Sequence, residues 1–339
     1  MRVLPFPGDN MSATTETFTA LQGDHRARRY QDVRELLPGV ENPTPLVRVN
    51  RVLPDTAPPL YLKLEWFNPF GSIKDRTASY LLADLAEKGL LQGREIVEPS
   101  SGNTAIALAA LASLTGTRLT VTIPDGVPEE KQVLLRMLGA EVWPTPDDLC
   151  PVDNPKDGAI ALARALAASH GGERYSMPDQ YSNPANVRAH YETTGPEIWR
   201  QTEGEVRTFI AGYGTCGTIT GVGRYLKEKD PSIRVVAVEP QKGHRIPGMK
   251  SFAEASIPSI LDPGLVDEVV RVDDGPAYAM TKRLFREEAL MVGPSTGAIV
   301  HAVSTLEGDG LVVGVSPDSG LKYTSFFRDI LGDEGLPTL

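Results

Sequence analysis

Cysteine is scarce: Cys150 and Cys216 are the only two in 339 residues. That is too few for a disulfide framework, and no CxxC pair or Cys/His ligand spacing offers a metal site. No run of about 18 apolar residues exists for a membrane-spanning helix. The opening MRVLPFPGDNMSATTETF lacks the unbroken apolar stretch of a secretory signal. Basic residues are also short, 34 Lys and Arg against 44 Asp and Glu, for a formal net charge of −10. Nucleic acid and anionic membranes need basic patches, so neither is expected as a partner. A reducing, cytoplasmic setting fits these absences.

What is present is ordinary for a globular protein: 41% hydrophobic and 23% charged residues. The length exceeds that of one simple domain and points to two lobes. Residues 1–30 form a polar N-terminal extension without clear periodicity or identifiable chemistry, and Met11 within it offers an alternative start. Apolar, β-rich runs follow at EIVEP (95–99), RLTVTI (118–123), TFIAGYG (208–214), VVAVEP (235–240) and LVVGVSP (311–317). They alternate with segments of helical period, the pattern of a parallel sheet with crossover helices. After Lys74, the residues Ala78, Leu81, Leu82, Leu85 and Ala86 recur at i, i+3, i+4, i+7 and i+8, and Gly89 closes the helix. Helices are likewise expected at 104–115, 129–138 and 159–169. The fold class is therefore α/β: two open, twisted, mostly parallel sheets with flanking helices. Ligand loops should gather where the carboxyl ends of their strands face a cleft.

Four loops at strand ends or helix starts can carry chemistry. In NPFGSIKDRTA (68–78) a turn precedes Lys74 in the first helical turn, where the macrodipole disfavours a cation. A lysine discouraged from carrying charge is easier to hold as a neutral nucleophile or imine. A lone lysine, however, is usually a solvated side chain. SSGNT (100–104) brings backbone N–H groups and hydroxyls to a helix N-terminus, suited to a carboxylate or phosphate, or simply to capping. GYGTCGT (212–218) lets the backbone approach an anion, with Thr215 and Thr218 as added donors. No GK[ST] ending follows, so it is not a P-loop. VGPSTGA (292–298) offers Ser295 and Thr296 and, alone, is only a capping turn.

Taken in order, TPLVRV, NPFGSIKDR, EPSSGNTAIALA, NPANVRAHYETTGPEIW, GTCGT, GPSTGA and SPDSGLKY closely resemble the cysteine synthase and cystathionine β-synthase family. These are pyridoxal-phosphate enzymes with the fold of the tryptophan synthase β subunit. The resemblance runs from roughly Pro43 to Thr324. It implies a larger cofactor-anchoring domain made of 31–67 and 184–331, a smaller mobile substrate domain at 68–183, and a tail at 332–339. The cofactor, pyridoxal 5′-phosphate, would lie in the cleft between the two domains.

Residue by residue, the resemblance makes Lys74 the Schiff-base lysine that then shuttles the substrate α-proton. Asn103 would meet the cofactor's phenolic oxygen, Ser295 its pyridine nitrogen, and Gly214, Thr215, Cys216, Gly217 and Thr218 its phosphate. Ser100, Ser101, Gly102 and Thr104 would close on the substrate carboxylate, with Gln180 a further contact. A hydroxyl at the pyridine nitrogen cannot keep it protonated as a carboxylate would. This favours β-elimination to an aminoacrylate over transamination or decarboxylation. The implied reaction is β-replacement on an activated L-serine, O-acetylserine favoured over O-phosphoserine, with sulfide giving L-cysteine in a homodimeric enzyme. In KGHRIPGMKSF (242–252), Arg245 or Lys250 would pair with a substrate phosphate, although a solvated basic loop reads equally well.

The sequence departs from the family in SSGNTA, where TSGNTG is usual, and in Cys216, where glycine is common. The first change keeps the hydroxyls, and the Cys216 backbone N–H serves as glycine's would, its thiol acting as a small apolar group. The absence of a domain after about Leu331 and of a haem-binding segment argues against a full-length cystathionine β-synthase. Serine or threonine dehydratases and diaminopropionate-type synthases share the same chemistry up to the nucleophile. A nicotinamide dehydrogenase is disfavoured because GxGxxG with an acidic residue about 20 positions on is not met at Gly212. Lys74 speaks against a catalytically silent binding protein.

Overall fold

Apolar strand segments and crossover helices build two open sheets in the computed structural model, which describes residues 29–125, 127, 129–146 and 158–331. Met11, Cys150 and the 332–339 tail lie outside the described residues. The chain divides into two compact units, Met1–Glu35 and Leu36–Leu339. The second contains both sheets.

The larger sheet joins β1 (Leu46–Arg48), β2 (Leu60–Leu64), β7 (Val206–Gly212), β8 (Arg234–Pro240), β9 (Glu268–Val272) and β10 (Leu311–Ser316) in the order β1-β2-β10-β7-β8-β9. Only the β1–β2 pair is antiparallel. The smaller sheet is all parallel, ordered β5-β4-β3-β6, from β3 (Glu95–Pro99), β4 (Leu119–Pro124), β5 (Glu141–Thr145) and β6 (Tyr175–Ser176). Every residue of β3 and β4 is buried. This is why they read as unbroken apolar runs: helices cover both faces of a parallel sheet. The five strands expected from sequence are β3, β4, β7, β8 and β10. The short β1, β2, β5, β6 and the edge strand β9 carry weaker signals.

Helices α1 (Lys74–Glu87), α2 (Asn103–Thr115), α3 (Glu129–Met137) and α4 (Ala159–Ala168) fall where their periodicity placed them. Along α1, Ala78, Leu81 and Leu85 are buried as expected, but Ala86 is exposed. The first turn is submerged instead, with Asp75, Arg76 and Thr77 all buried. After α5 (Ala185–Ala189) comes a π-helical turn, His190–Thr194, and then α6 (Gly195–Gln201). The remaining helices are α7 (Gly217–Lys229), α8 (Asp274–Glu287), α9 (Pro294–Val303) and α10 (Thr324–Leu331). Among the described residues, no helix is long and apolar enough to cross a membrane, and no group of three His, Cys, Asp or Glu could hold a metal.

The submerged turn of α1 is held by charge. Arg76 donates to Glu197 through Nη1 (2.5 Å) and Nη2 (2.8 Å), and to Glu65 through Nε (2.8 Å) and Nη2 (2.9 Å). Lys63 Nζ lies 2.8 Å from Glu197 Oε2, and all four side chains are fully buried. Burial would raise the Glu65 carboxyl, yet Arg76 and Lys63 outweigh it and hold it down at about 2. Two cations and two carboxylates thus cancel in the interior, and they tie α1 to the end of β2 and to α6.

Another buried carboxylate has no cation paired with it among the described residues. Glu98 on β3 accepts the backbone N–H groups of Asp179 (3.0 Å) and Gln180 (3.4 Å), and burial pushes it up to about 8. The folded state therefore holds a proton that the unfolded chain releases near 4.5.

Removing Arg76 leaves Glu65 and Glu197 to share Lys63, one uncompensated buried charge, so Arg76→Met should cost about 3–5 kcal/mol in urea unfolding. A cost below about 1 kcal/mol would contradict this account of the cluster. For Glu98, whose folded value is raised, the stabilisation is complete below about 4.5 and is lost as pH rises towards about 8. Thermal melts of the wild type should fall across that window by up to about 1.4 kcal/mol per pH unit relative to Glu98→Gln. Parallel pH profiles for the two proteins would refute the buried-acid assignment.

Candidate active site

Loops at the carboxyl ends of both sheets converge, as in other open parallel sheets. The first leaves β2 and turns into α1. Asn68 Nδ2 donates to Glu65 Oε2 (2.8 Å) and to the Ser72 carbonyl (2.9 Å), while the Phe70 N–H donates to Asp75 Oδ2 (2.6 Å). The Ile73 N–H reaches the Pro317 carbonyl beyond β10 at 2.9 Å. The loop is thereby fixed at both ends, and Lys74 opens the helix. Its side chain is partly buried, and its amine makes no ion pair or hydrogen bond among the described residues. Burial pushes the ammonium below its ordinary value, against the pull of the Asp318 carboxylate and the Cys216 thiol. Desolvation is thus the leading reason for its weakened charge, whereas the sequence pointed to the helix dipole.

The second loop follows β3. Ser100 is buried, Ser101 and Gly102 are partly buried, and Asn103 and Thr104 open α2. Thr104 Oγ1 donates to Gln180 Oε1 at 2.6 Å. Asn186 Nδ2 donates to the Gln180 carbonyl (2.8 Å) and to Thr215 Oγ1 (3.0 Å). One hydrogen-bonded chain therefore runs from the Ser100–Thr104 loop to the glycine-rich loop after β7.

In that third loop Cys216 is the residue before α7, with a left-handed φ of 67°. Such a φ is rare outside glycine, asparagine and aspartate. Burial pushes its thiol up to about 12, so it stays protonated. At Gly217 a Cβ would lie 2.1 Å from Asn186 Oδ1, so only glycine fits there. Thr218 Oγ1 is 3.2 Å from His190 Nε2, and His190 Nδ1 is 2.9 Å from Thr194 Oγ1. Burial, reinforced by Arg76 and Lys74, holds His190 down at about 3 and its ring neutral. Gly214 packs beneath the Gly248 carbonyl. This brings the 242–252 segment over the glycine-rich loop.

Ser295 lies in the first turn of α9 and is 6% exposed. The two basic candidates separate. Lys250 stands 4.7 Å over the Tyr181 ring, beside Gln180, and its charge acts on Cys216. Arg245 is exposed, its N–H bonded to Asp274 Oδ2 at 2.9 Å and its charge felt by Tyr278. Arg245 is not drawn into the Lys74 group.

Several residues of this group were not singled out in the sequence. Asp318 is buried, accepts from Asn103 Nδ2 (2.6 Å) and Tyr323 OH (2.5 Å), and its Oδ1 has no hydrogen-bond partner among the described residues. Burial raises its carboxyl despite these bonds. His190, Asn186, Asp318 and Lys322 all sit inside motifs already noticed (NPANVRAHYE and SPDSGLKY). Those motifs mark the neighbourhood, but contacts between residues far apart in the chain leave no local signal.

Residues 37–318 match the model of the family described as "Pyridoxal-phosphate dependent enzyme". The cysteine synthase of Aquifex aeolicus is 38% identical over 314 residues, covering 88% of this chain and 94% of the relative. A solved structure of O-ureido-L-serine synthase superposes with a TM-score of 0.80 at 33% identity, covering 91% of this chain and 98% of its own. The Entamoeba histolytica cysteine synthase gives 0.82 at 29% identity, covering 94% and 96%. The chain belongs to the pyridoxal-phosphate dependent enzymes, among those like cysteine synthase.

Proposed function

We propose that the protein makes L-cysteine by replacing the β-substituent of an activated L-serine, O-acetylserine in the first place, with sulfide. The observation that carries this reading is the partly buried Lys74 at the start of α1, whose amine makes no ion pair among the described residues and whose charge desolvation discourages. Cysteine synthases as relatives support the same reading.

The residues present fit pyridoxal phosphate. Lys74 would hold its aldehyde carbon as a Schiff base, and Gly214, Thr215, Cys216, Gly217 and Thr218, opening α7, its phosphate. Asn103 would meet the phenolic oxygen and Ser295 the ring nitrogen. When bound, the cofactor supplies an electron sink for charge developing at the substrate α-carbon.

The protein's own groups do the rest. Ser100, Ser101, Gly102 and Thr104 present the start of α2 to the substrate carboxylate, and Gln180 holds the Thr104 hydroxyl in line. Lys74, with its lowered proton affinity, takes the α-proton as the β-leaving group departs. It returns that proton to the α-carbon once sulfide has bonded to the β-carbon. Ser295, a neutral hydroxyl, would not keep the ring nitrogen protonated as a carboxylate would, which would favour prompt loss of the β-substituent. The neutral His190 ring steadies the Thr218 hydroxyl without adding charge near the phosphate loop.

Lys250 is the better candidate than Arg245 for a charged leaving group, since it lies beside Tyr181 and Cys216. We read 68–183, which contains β3 to β6, as the substrate domain that closes on the bound amino acid. The same reading makes the enzyme a cytoplasmic homodimer. Likeness to O-ureido-L-serine synthase favours a second reading in which another nucleophile takes the place of sulfide.

Incubation with O-acetylserine and sulfide should yield cysteine rather than pyruvate and ammonia; predominant pyruvate would instead make the protein a dehydratase. Lys74→Ala should lose the visible cofactor band and lower turnover by at least about 10³-fold with the fold intact. Near wild-type turnover in that variant would sink the assignment. Lys250→Ala should raise KM for O-phosphoserine by about tenfold, the worth of one charge-assisted contact, and leave O-acetylserine within about twofold. Equal changes for both esters would remove Lys250 from leaving-group recognition.

A further inference from the structure

Lys322 is a half-buried cation on the turn after β10, and its ammonium bridges two loops of the site. It donates to Asn103 Oδ1 at 2.8 Å and to the Phe70 carbonyl at 3.1 Å. Phe70 belongs to the turn that delivers Lys74, and Asn103 opens α2 beside the Ser100–Gly102 loop. The turn is shaped for this contact: Gly71 adopts φ +79°, and a Cβ there would meet Lys322 Cε at 3.3 Å. Asp75 accepts the Phe70 N–H, which leaves the Phe70 carbonyl for Lys322.

The consequence falls on the Asn103 amide. A carboxamide has a donor end and an acceptor end, and only its partners decide which way it faces. The Lys322 ammonium donates and cannot accept, so it holds the oxygen. The nitrogen is then turned to Asp318 Oδ2, 2.6 Å away, which also accepts from the Tyr323 hydroxyl. One of the two amide hydrogens is used by Asp318. The other lies towards the Tyr323 hydroxyl, itself committed to Asp318, and can turn to a stronger acceptor.

We propose that Lys322 is a positioning residue that fixes the orientation of the Asn103 amide, so that its second N–H donates to the phenolic oxygen of the cofactor. The proposal rests on the reading of Asn103 as the partner of that oxygen. Without Lys322 the orientation rests on Asp318 alone of these two partners, and a flip would turn an acceptor towards an oxygen that carries negative charge.

The test compares Lys322→Met, Lys322→Arg and Asn103→Leu as purified proteins, with their folds checked by circular dichroism. Two quantities are read: the dissociation constant of pyridoxal phosphate from the apoprotein, and the ratio of the two absorption bands that report protonation of the phenolic oxygen. Lys322→Met should weaken cofactor binding about tenfold, the usual loss for a hydrogen bond involving a charged group. It should also shift the band ratio towards the protonated form, as Asn103→Leu should. Lys322→Arg, which keeps a donor, should stay within about twofold of wild type. If Asn103→Leu changes both quantities and Lys322→Met changes neither, the positioning role is overturned and the Asn103 reading survives. If Asn103→Leu changes neither, the Asn103 reading itself fails and takes the proposal with it.

Discussion

Arg76 lies two residues beyond Lys74 and is wholly enclosed between Glu65 and Glu197, with Lys63 completing the charge balance. Such a cluster is expensive to bury and severe to break, because loss of one member leaves an uncompensated charge in the interior. It gains from geometry: a planar guanidinium meets two carboxylates along fixed directions. Those directions pin the first turn of α1 to the end of β2 and to α6, and Lys74 is the residue that opens that turn. The position of the reactive amine therefore depends on a set of ionic contacts that themselves touch no substrate.

Around this anchor the site manages charge by desolvation more than by pairing. Lys74 is pushed down by burial, His190 is kept neutral by burial and two nearby cations, and the Cys216 thiol is held protonated. Against this background an anionic ligand finds backbone N–H groups and hydroxyls, fixed by the Thr104–Gln180–Asn186–Thr215 chain, and few competing carboxylates. Asp75 and Asp318 are exceptions, Asp75 accepting the Phe70 N–H and Asp318 surrounded by the donors Asn103 and Tyr323. Hydrogen bonds thus run from one sheet's loops to the other's.

Much of this was legible in sequence because its signals are local. Parallel strands covered on both faces give unbroken apolar runs, which marked β3, β4, β7, β8 and β10. Glycine- and hydroxyl-rich turns between strand and helix marked Lys74, Asn103, the 214–218 loop and Ser295. The illegible part depends on pairing across long separations. Asn103 meets Asp318 and Lys322 over 215 and 219 positions, and Arg76 meets Glu197 over 121. Charged residues are also expected at the surface, so nothing local foretold that Lys63, Glu65, Arg76 and Glu197 would be buried together. Arg245 and Lys250 looked equivalent for the same reason. Only the packing of the 242–252 segment separates one beside Asp274 from the other beside Tyr181.

The central claim is that the amine of Lys74 is the one that bonds the cofactor. Borohydride reduction of the cofactor-loaded protein, followed by digestion and mass spectrometry, tests it directly because reduction makes that bond permanent. The account predicts a single phosphopyridoxyl label on the peptide containing Lys74. A label on Lys63, Lys250 or Lys322, with Lys74 unmodified, would contradict it.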